Sequence, residues 1–128
     1  MNRSSVAVIV LGAALVASAA RTPPKGGAEG RVLYGRYCAS CHGPAADGHG
    51  PVASVLTHSP TDLRRLGDRD GRPLDAARIA RWIDGREDVA AHGTREMPVW
   101  GDRFHAPEGG IDPRIRAIVA YLDTLQER

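Results

Sequence analysis

The sequence predicts a small all-α fold, and three observations indicate it. Residues 28–37, 74–84 and 113–125 carry apolar side chains at the three- and four-residue spacing of amphipathic helices. No stretch shows the sustained alternation of apolar and polar residues that is typical of a half-buried strand. The 128 residues suffice for one domain, and the 15 Gly and 9 Pro indicate that long irregular segments connect its helices.

The first and last predicted helices are expected to pack against each other. In the first helix, Gly30 lacks a side chain and allows another helix to approach closely. The last helix starts at a clear signal, with Asp112 as N-cap and Pro113 at the first helical position. We expect these helices to cross with Tyr121 near their contact. The apolar faces comprise Gly30, Leu33, Tyr34 and Tyr37 on the first helix and Ile115, Ile118, Val119, Leu122 and Leu125 on the last.

A third helix is predicted over residues 74–84, where Gly85 ends it. It contributes Ile79, Trp82 and Ile83 to the core, and we interpret Trp82 and Tyr121 as core residues without a special role. The preceding segment, 43–73, is predicted to be mostly irregular, with one helical turn near residues 52–56. A segment of this length without regular structure is expected where the chain wraps around a large ligand.

Composition excludes several classes of function. The chain has 17 Lys and Arg against 15 Asp and Glu, and its opposite charges alternate, as in Asp68-Arg69-Asp70. A protein that binds nucleic acid should instead carry clustered positive charge. Hydrophobic content of 42% and charged content of 25% are ordinary for a folded soluble domain, which argues against a disordered chain or a polytopic membrane protein.

The N-terminus resembles an export signal. Arg3 precedes an apolar stretch over residues 6–16, and small residues at 17–20 fit a cleavage region, so we predict that residues 1–20 are a signal peptide cleaved after Ala19 or Ala20. An uncleaved membrane anchor is the alternative, because the uncharged stretch is just short of the roughly 20 residues that span a bilayer. Either way, a periplasmic location is expected.

This signal divides the chain into three parts. Residues 21–27 are rich in Pro and Gly and predict a flexible linker, and residues 28–128 form the domain itself.

The strongest motif is Cys38-Ala39-Ser40-Cys41-His42, the C-x-x-C-H attachment pattern of c-type haem. On a helical turn, residues three and four apart share a face, so Cys38 and Cys41 can present both sulfurs to one haem while His42 faces its iron. A disulfide is the simplest alternative in an exported protein. A zinc knuckle would need further ligands, and no third cysteine exists. A thioredoxin-like dithiol would need a surrounding sheet.

Met97 is the candidate for the opposite side of the iron, and it is the only methionine besides Met1. Pro98 keeps it out of helical geometry, so Met97 is expected in a rigid loop suited to holding a thioether over a metal. His92 is the substitute if two histidines ligate the iron, and we interpret the histidines at 49, 58 and 105 as surface residues.

Residues around Met97 are predicted to complete the ligand site. We expect Trp100 and Phe104 to form an apolar wall, with a hydrogen bond from the Trp100 indole to a haem propionate as one option. Arg95 and Arg103 flank Met97 and could offset the propionates, although solvated arginines are the simpler interpretation.

Taken together, these motifs resemble the class I cytochromes c, in particular a small bacterial monohaem member, over about residues 29–125. The resemblance implies a small cytochrome c fold of three to four helices wrapped around one haem c, attached covalently through Cys38 and Cys41. It implies His42 as the proximal and Met97 as the distal iron ligand. In the family a proline carbonyl commonly accepts the proximal histidine proton; Pro51 is the better match here and Pro60 the second. The motifs that carry the resemblance are Gly30, Tyr34, Tyr37, Cys38, Cys41, His42, Gly43, the Gly48-His49-Gly50-Pro51 loop, Met97-Pro98, Trp100 and Tyr121.

The resemblance implies an electron carrier rather than an enzyme, acting as a monomer between exported or membrane-bound redox proteins such as a membrane oxidoreductase, a terminal oxidase or a dehydrogenase. The single lysine, Lys25, departs from members that dock through a lysine-rich rim. Three alternatives stay open: a haem-bearing subunit of a larger oxidase or dehydrogenase, a carrier tethered by an uncleaved signal, and a haem sensor or peroxidase with a labile distal ligand.

Overall fold

The structure, a computed structural model, describes residues 27–70, 73–86 and 97–127. The described residues form helices joined by turns and loops, and no strand occurs among them. The predicted all-α fold is therefore confirmed. The helices are α1 (Gly27–Tyr37), α2 (Ala39–His42), α3 (Leu66–Asp70), α4 (Ala76–Asp84), α5 (Trp100–Arg103) and α6 (Pro113–Thr124).

Helices α1 and α6 form the main helix pair of the domain. Gly30 packs directly against the Ala117 backbone, where a Cβ would overlap the Ala117 carbonyl and lie 2.9 Å from Tyr121 Cβ. One turn further along α1, the ring of Tyr34 lies 5.5 Å from that of Tyr121. The predicted crossing of the terminal helices at Gly30 is thus present in the structure.

The close approach at Gly30 yields a stability prediction. Gly30→Ala should destabilise the folded protein by about 1–3 kcal/mol, because the added methyl group forces backbone apart from backbone. Gly35→Ala is the matched control, since Gly35 lies on the exposed side of α1 with open space around it. This control should be neutral or stabilising by about 0.5–1 kcal/mol through helix propensity. Urea unfolding of both variants measures the difference, and equal midpoints would contradict the prediction.

Helices α6 and α4 both begin at an aspartate cap. In α6, the Asp112 carboxylate caps the helix by accepting from the Arg114 N–H at 2.8 Å. In α4, Asp75 accepts from the Arg78 N–H at 2.9 Å, and Gly85 ends the helix at a φ of 70°. The observed α4 starts at Ala76, two residues later than residue 74, because its cap is Asp75.

The core lies where α1, α4 and α6 meet. Buried apolar side chains come from all three helices and from the connecting segments, and Tyr34, Ile115 and Ile118 are the largest of those with almost no exposure. The other core members include Leu66, Ile79, Ile83, Phe104, Val119 and Leu122. Trp82 and Tyr121, predicted as core residues, are partly buried and pack at its edge.

The segment 43–73 is more ordered than predicted. A short 3-10 helix at Ala53–Val55 matches the predicted turn at residues 52–56, but a second one at Leu63–Arg65 continues into α3. Most of the described part of this segment is irregular, as predicted, but the helical run from Leu63 to Asp70 was not predicted. Asp62 caps the turn by accepting from the Arg64 N–H at 3.0 Å, which is the local reason why it forms.

The predicted signal peptide at 1–20 and most of the predicted linker lie outside the described residues. Gly27, the last residue assigned to that linker, is the first residue of α1. Within the part of the chain that the structure describes, no helix has the length and apolar character to cross a membrane.

Candidate haem site

The turn that carries the cysteines is helical, as the C-x-x-C-H spacing predicts. Cys38 is the N-cap of α2, and its carbonyl accepts from the N–H groups of Cys41 at 3.2 Å and His42 at 2.9 Å. Residues three and four apart on such a turn lie on one side of it. Both cysteines are free thiols and partly buried, so neither is in a disulfide.

Two neighbouring contacts hold this turn in place. The buried Tyr34 hydroxyl donates to the Gly43 carbonyl, directly after His42, at 2.6 Å. On the other side Gly50 packs against the turn, where a Cβ would clash with the Ser40 and Cys41 carbonyls. The Gly50 N–H donates to the Cys41 carbonyl at 3.1 Å. The motif is therefore anchored by α1 and by the following loop.

The motif borders an apolar cavity of about 320 Å³, within the range of about 300–1,000 Å³ for ligand sites. Cys38, Cys41, His42 and Met97 all line this cavity, although Met97 lies far along the chain. Much of its apolar surface comes from α4, α6 and the segment after residue 55. That surface includes Leu56, Leu63, Leu66, Ile79, Ile83, Ile118 and Leu122.

His42 has a defined partner on its Nδ1 atom. This nitrogen lies 3.0 Å from the Thr61 carbonyl oxygen, the distance of a hydrogen bond in which Nδ1–H donates. Such a bond fixes the ring and its tautomer, as the bond on the second ring nitrogen does in a metal-bound histidine. The observed carbonyl belongs to Thr61, beside Pro60, whereas the predicted Pro51 is exposed and does not line the cavity. Thr61 therefore replaces Pro51 as the acceptor.

Met97 is partly buried at the cavity, and the residues that follow it rest on the end of α4. Val99 Cα would lie 3.5 Å from a Cβ at Gly85, and Gly101 packs against the carboxylate of Asp84. Pro98 and Trp100 line the cavity beside Met97. The chain around Met97 is thus braced by backbone packing rather than by Pro98 alone.

An ion pair stabilises the end of α4 at this point. Asp84 is 3% exposed and pairs with Arg86, whose Nη2 lies 2.9 Å from Asp84 Oδ1. The same guanidinium donates to the carbonyls of Ala106, Pro107 and Gly110. The hydrogen bonds that Arg86 donates to the Asp84 carboxylate raise the pKa of the Arg86 guanidinium, which stays charged. It joins α4 to the loop between α5 and α6.

Three aromatic rings pack together next to Met97. The Trp100 ring centroid lies 5.6 Å from Tyr37 and 5.4 Å from Phe104. Tyr37 and Trp100 line the cavity, whereas Phe104 is 5% exposed and lies in the core behind them. The predicted wall is therefore made by Trp100, and Phe104 supports it.

Positive and titratable groups at the cavity differ from those predicted. Arg69 and His58 line it, and sequence reasoning assigned neither to the site. Arg103 is exposed on α5 and does not line the cavity. Arg95 and His92 lie outside the described residues, so their predicted roles stay predictions.

The residues fit a covalently bound haem by their chemistry. The cavity has an apolar surface, two free thiols one helical turn apart, the imidazoles of His42 and His58, and one thioether. Burial, followed by the neighbouring Cys41, raises the pKa of the Cys38 thiol to about 12, so Cys38 is a neutral thiol at physiological pH. A neutral thiol in an apolar cavity suits attachment to a vinyl group better than it suits a redox dithiol, which needs a lowered pKa.

A larger cavity of about 720 Å³ lies between α4 and α6, on the other side of α6. Its described lining includes Leu74, Ala80, Ile111 and Val119, but no cysteine, histidine or methionine. Volume alone therefore does not identify the site, and the donor atoms do.

Sequence reasoning missed Thr61, Leu63, Leu66 and Arg69 as site residues. The signal that would have found them is Asp62 followed by leucines at positions 63 and 66, which is an N-cap before apolar residues at helical spacing. The Pro and Gly content of the preceding segment concealed it.

An apolar cavity that gathers this set of donors inside an all-α fold defines a class: this is a c-type cytochrome domain. Residues 26–122 match the family model described as cytochrome c oxidase, cbb3-type, subunit III, and the chain belongs to that family. Domains of this class bind haem and transfer electrons. No curated protein and no solved structure matches the sequence.

Proposed function

We propose that this protein carries single electrons on one haem c, attached through Cys38 and Cys41, with His42 and Met97 as the axial iron ligands. The single observation that carries the proposal is that these four residues line one cavity. The bound haem supplies the one-electron couple of its iron. His/Met ligation raises the reduction potential relative to more basic ligands and leaves no open position for a substrate.

Each described residue has a distinct part in this proposal. Thr61 accepts from His42 Nδ1–H, which orients the imidazole and increases its basicity. The packing of Val99 and Gly101 against the end of α4 fixes the position of Met97 at the cavity. Trp100 excludes water and can donate its indole N–H to a propionate. Arg69 offers positive charge at the cavity for the same carboxylates.

The family match favours a second, compatible candidate: the domain serves as the haem subunit of an oxidase complex. The chemistry is then the same and only the partner differs. We propose a periplasmic location for residues 28–128 in either case, delivered by the signal at 1–20 or held at the membrane by it. The electron donor and acceptor are membrane-bound or exported redox proteins.

The proposal is tested on the holoprotein produced with a cytochrome c maturation system. Intact mass should increase by one haem after removal of the signal, and the haem should resist extraction by acidic acetone. The ferric spectrum should show the weak far-red band of methionine ligation, and the ferrous form should not bind carbon monoxide. A haem that is extractable, or a ferrous form that binds carbon monoxide readily, would favour the sensor or peroxidase alternative.

Purification from native membranes separates the two candidates. Stoichiometric recovery of oxidase chains with the protein supports the subunit role. Recovery of the protein alone in the soluble periplasmic fraction supports the mobile carrier.

A further inference from the structure

The side chain of Gln126, just after α6, joins two distant parts of the chain. Its Nε2 donates to the carbonyls of Leu63 and Leu122, each at 2.8 Å, and its Oε1 accepts from the Gly67 N–H at 3.1 Å. All three polar positions of this partly buried amide are therefore in use. Two of the bonds join residues 59 and 63 positions apart in sequence.

The segment that Gln126 holds is a wall of the haem cavity. Leu63 and Leu66 line the cavity, and the carbonyl that accepts from His42 Nδ1 belongs to Thr61, two residues before Leu63. The Leu63 N–H donates to the Ala46 carbonyl at 2.8 Å. Residues 61–67 are therefore fixed from one side by the loop after the haem motif and from the other by Gln126.

The neighbouring ion pairs are less able to do this. Arg64 and Glu127 lie 3.2 Å apart, with side chains 34% and 49% exposed, and exposed pairs of this kind contribute little. Asp62 is held by the Arg64 side chain, which lowers its pKa to about 2, but this pair lies within the segment and cannot join it to α6. Gln126 is thus the side chain that joins the wall to the end of α6 by hydrogen bonds from a partly buried position.

We propose that Gln126 is a positioning residue for the proximal iron ligand: by holding residues 61–67 against α6, it keeps the Thr61 carbonyl in hydrogen bond to His42 Nδ1–H. This proposal rests on the proposed ligation of iron by His42. A hydrogen bond to the second ring nitrogen sets the orientation and basicity of a metal-bound histidine. Gln126 therefore acts on the iron through Thr61 and His42, and the hydrogen bonds of its own side chain go to neither of these residues.

The test measures exchange of the His42 Nδ1 proton with solvent, by NMR of the ferrous holoprotein, in the wild type and in Gln126→Leu. Leucine removes both donors and the acceptor with little change in volume. Exchange should be roughly tenfold faster or more in the variant. The reason is that the hydrogen bond from His42 Nδ1–H to Thr61 can then open without breaking the hydrogen bonds of the Gln126 side chain. Amide protons in the middle of α1 should keep their wild-type exchange.

Two further variants keep the test decisive. Gln126→Glu keeps the acceptor for Gly67 but loses both donors, and it should also speed the exchange; it replaces Gln126→Leu if that variant does not fold. Glu127→Ala is the matched control: it removes the ion pair with Arg64 and keeps the backbone bond from Glu127 N–H to Arg64, so exchange should be unchanged.

Unchanged Nδ1–H exchange in the Gln126 variants overturns this inference. So does an equal acceleration of the α1 amides, since that would make Gln126 a contributor to global stability only. A wild-type protein without covalent haem ligated by His42 overturns the proposed function and this inference together. A normal wild type with unaffected variants overturns the inference alone.

Discussion

Replacing both Cys38 and Cys41 with serine is expected to abolish covalent haem attachment. Serine cannot form the thioether bond to haem. Cys38 and Cys41 are free cysteines, lie one helical turn apart and both line the cavity. Acidic acetone should extract essentially all haem from the double variant, and a denaturing gel stained for haem peroxidase activity should show no band at the mass of the chain.

The chain offers a matched control for the cysteine variants within the same turn. Ser40 lies between the cysteines, is exposed and approaches Cys41 Sγ only to 3.9 Å through its hydroxyl. Ser40→Ala should therefore retain full covalent haem. Haem that remains covalently bound in the double serine variant would contradict the proposed attachment.

Replacing Met97 with alanine is expected to change the iron ligation without releasing the haem. The ferric far-red band should disappear, and the ferrous form should bind carbon monoxide. The midpoint potential should fall by roughly 0.1 V or more, within the span of about 0.8 V that axial ligands control. The fall follows because thioether ligation favours the ferrous state. Visible spectra and a potentiometric titration measure all three changes.

His92→Ala is the control for this prediction, because His92 is the alternative distal ligand. It should leave the band and the potential at their wild-type values. If the wild type lacks the band, Met97→Ala leaves the spectra and the potential unchanged and His92→Ala alters them, the assignment of Met97 as distal ligand is wrong and ligation by two histidines replaces it.

The sequence predicted the fold where local signals and tertiary packing agree. Asp112 and Pro113 mark the start of α6, and Gly30 predicted the contact that α1 makes with Ala117. Such features can be recognised in a sequence because a particular local geometry, such as a helix cap or a close approach of two backbones, requires a particular residue type. The all-α class follows from them.

The rest could not be predicted because it depends on contacts between distant residues. The acceptor for His42 is a backbone carbonyl, which every residue possesses, so only the path of the chain decides that Thr61 supplies it. The same holds for Asp84 and Arg86: no signal in the sequence marks them as a buried pair, and only the packing of Gly101 against them shows that the carboxylate is buried. Resemblance to a family supplies residue types but not these local acceptors.

The bond from Gln126 to the wall of the cavity also has a consequence for the order of biogenesis. Cys38, Cys41 and His42 are synthesised well before Gln126, and closing a contact across 63 residues has to overcome the entropy of the intervening chain. The C-x-x-C-H motif is therefore synthesised before the hydrogen bonds of Gln126 can fix the Leu63–Gly67 side of the cavity. With the proposed attachment of haem, we expect haem to enter this side of the cavity most readily before the residues after α6 fix the wall.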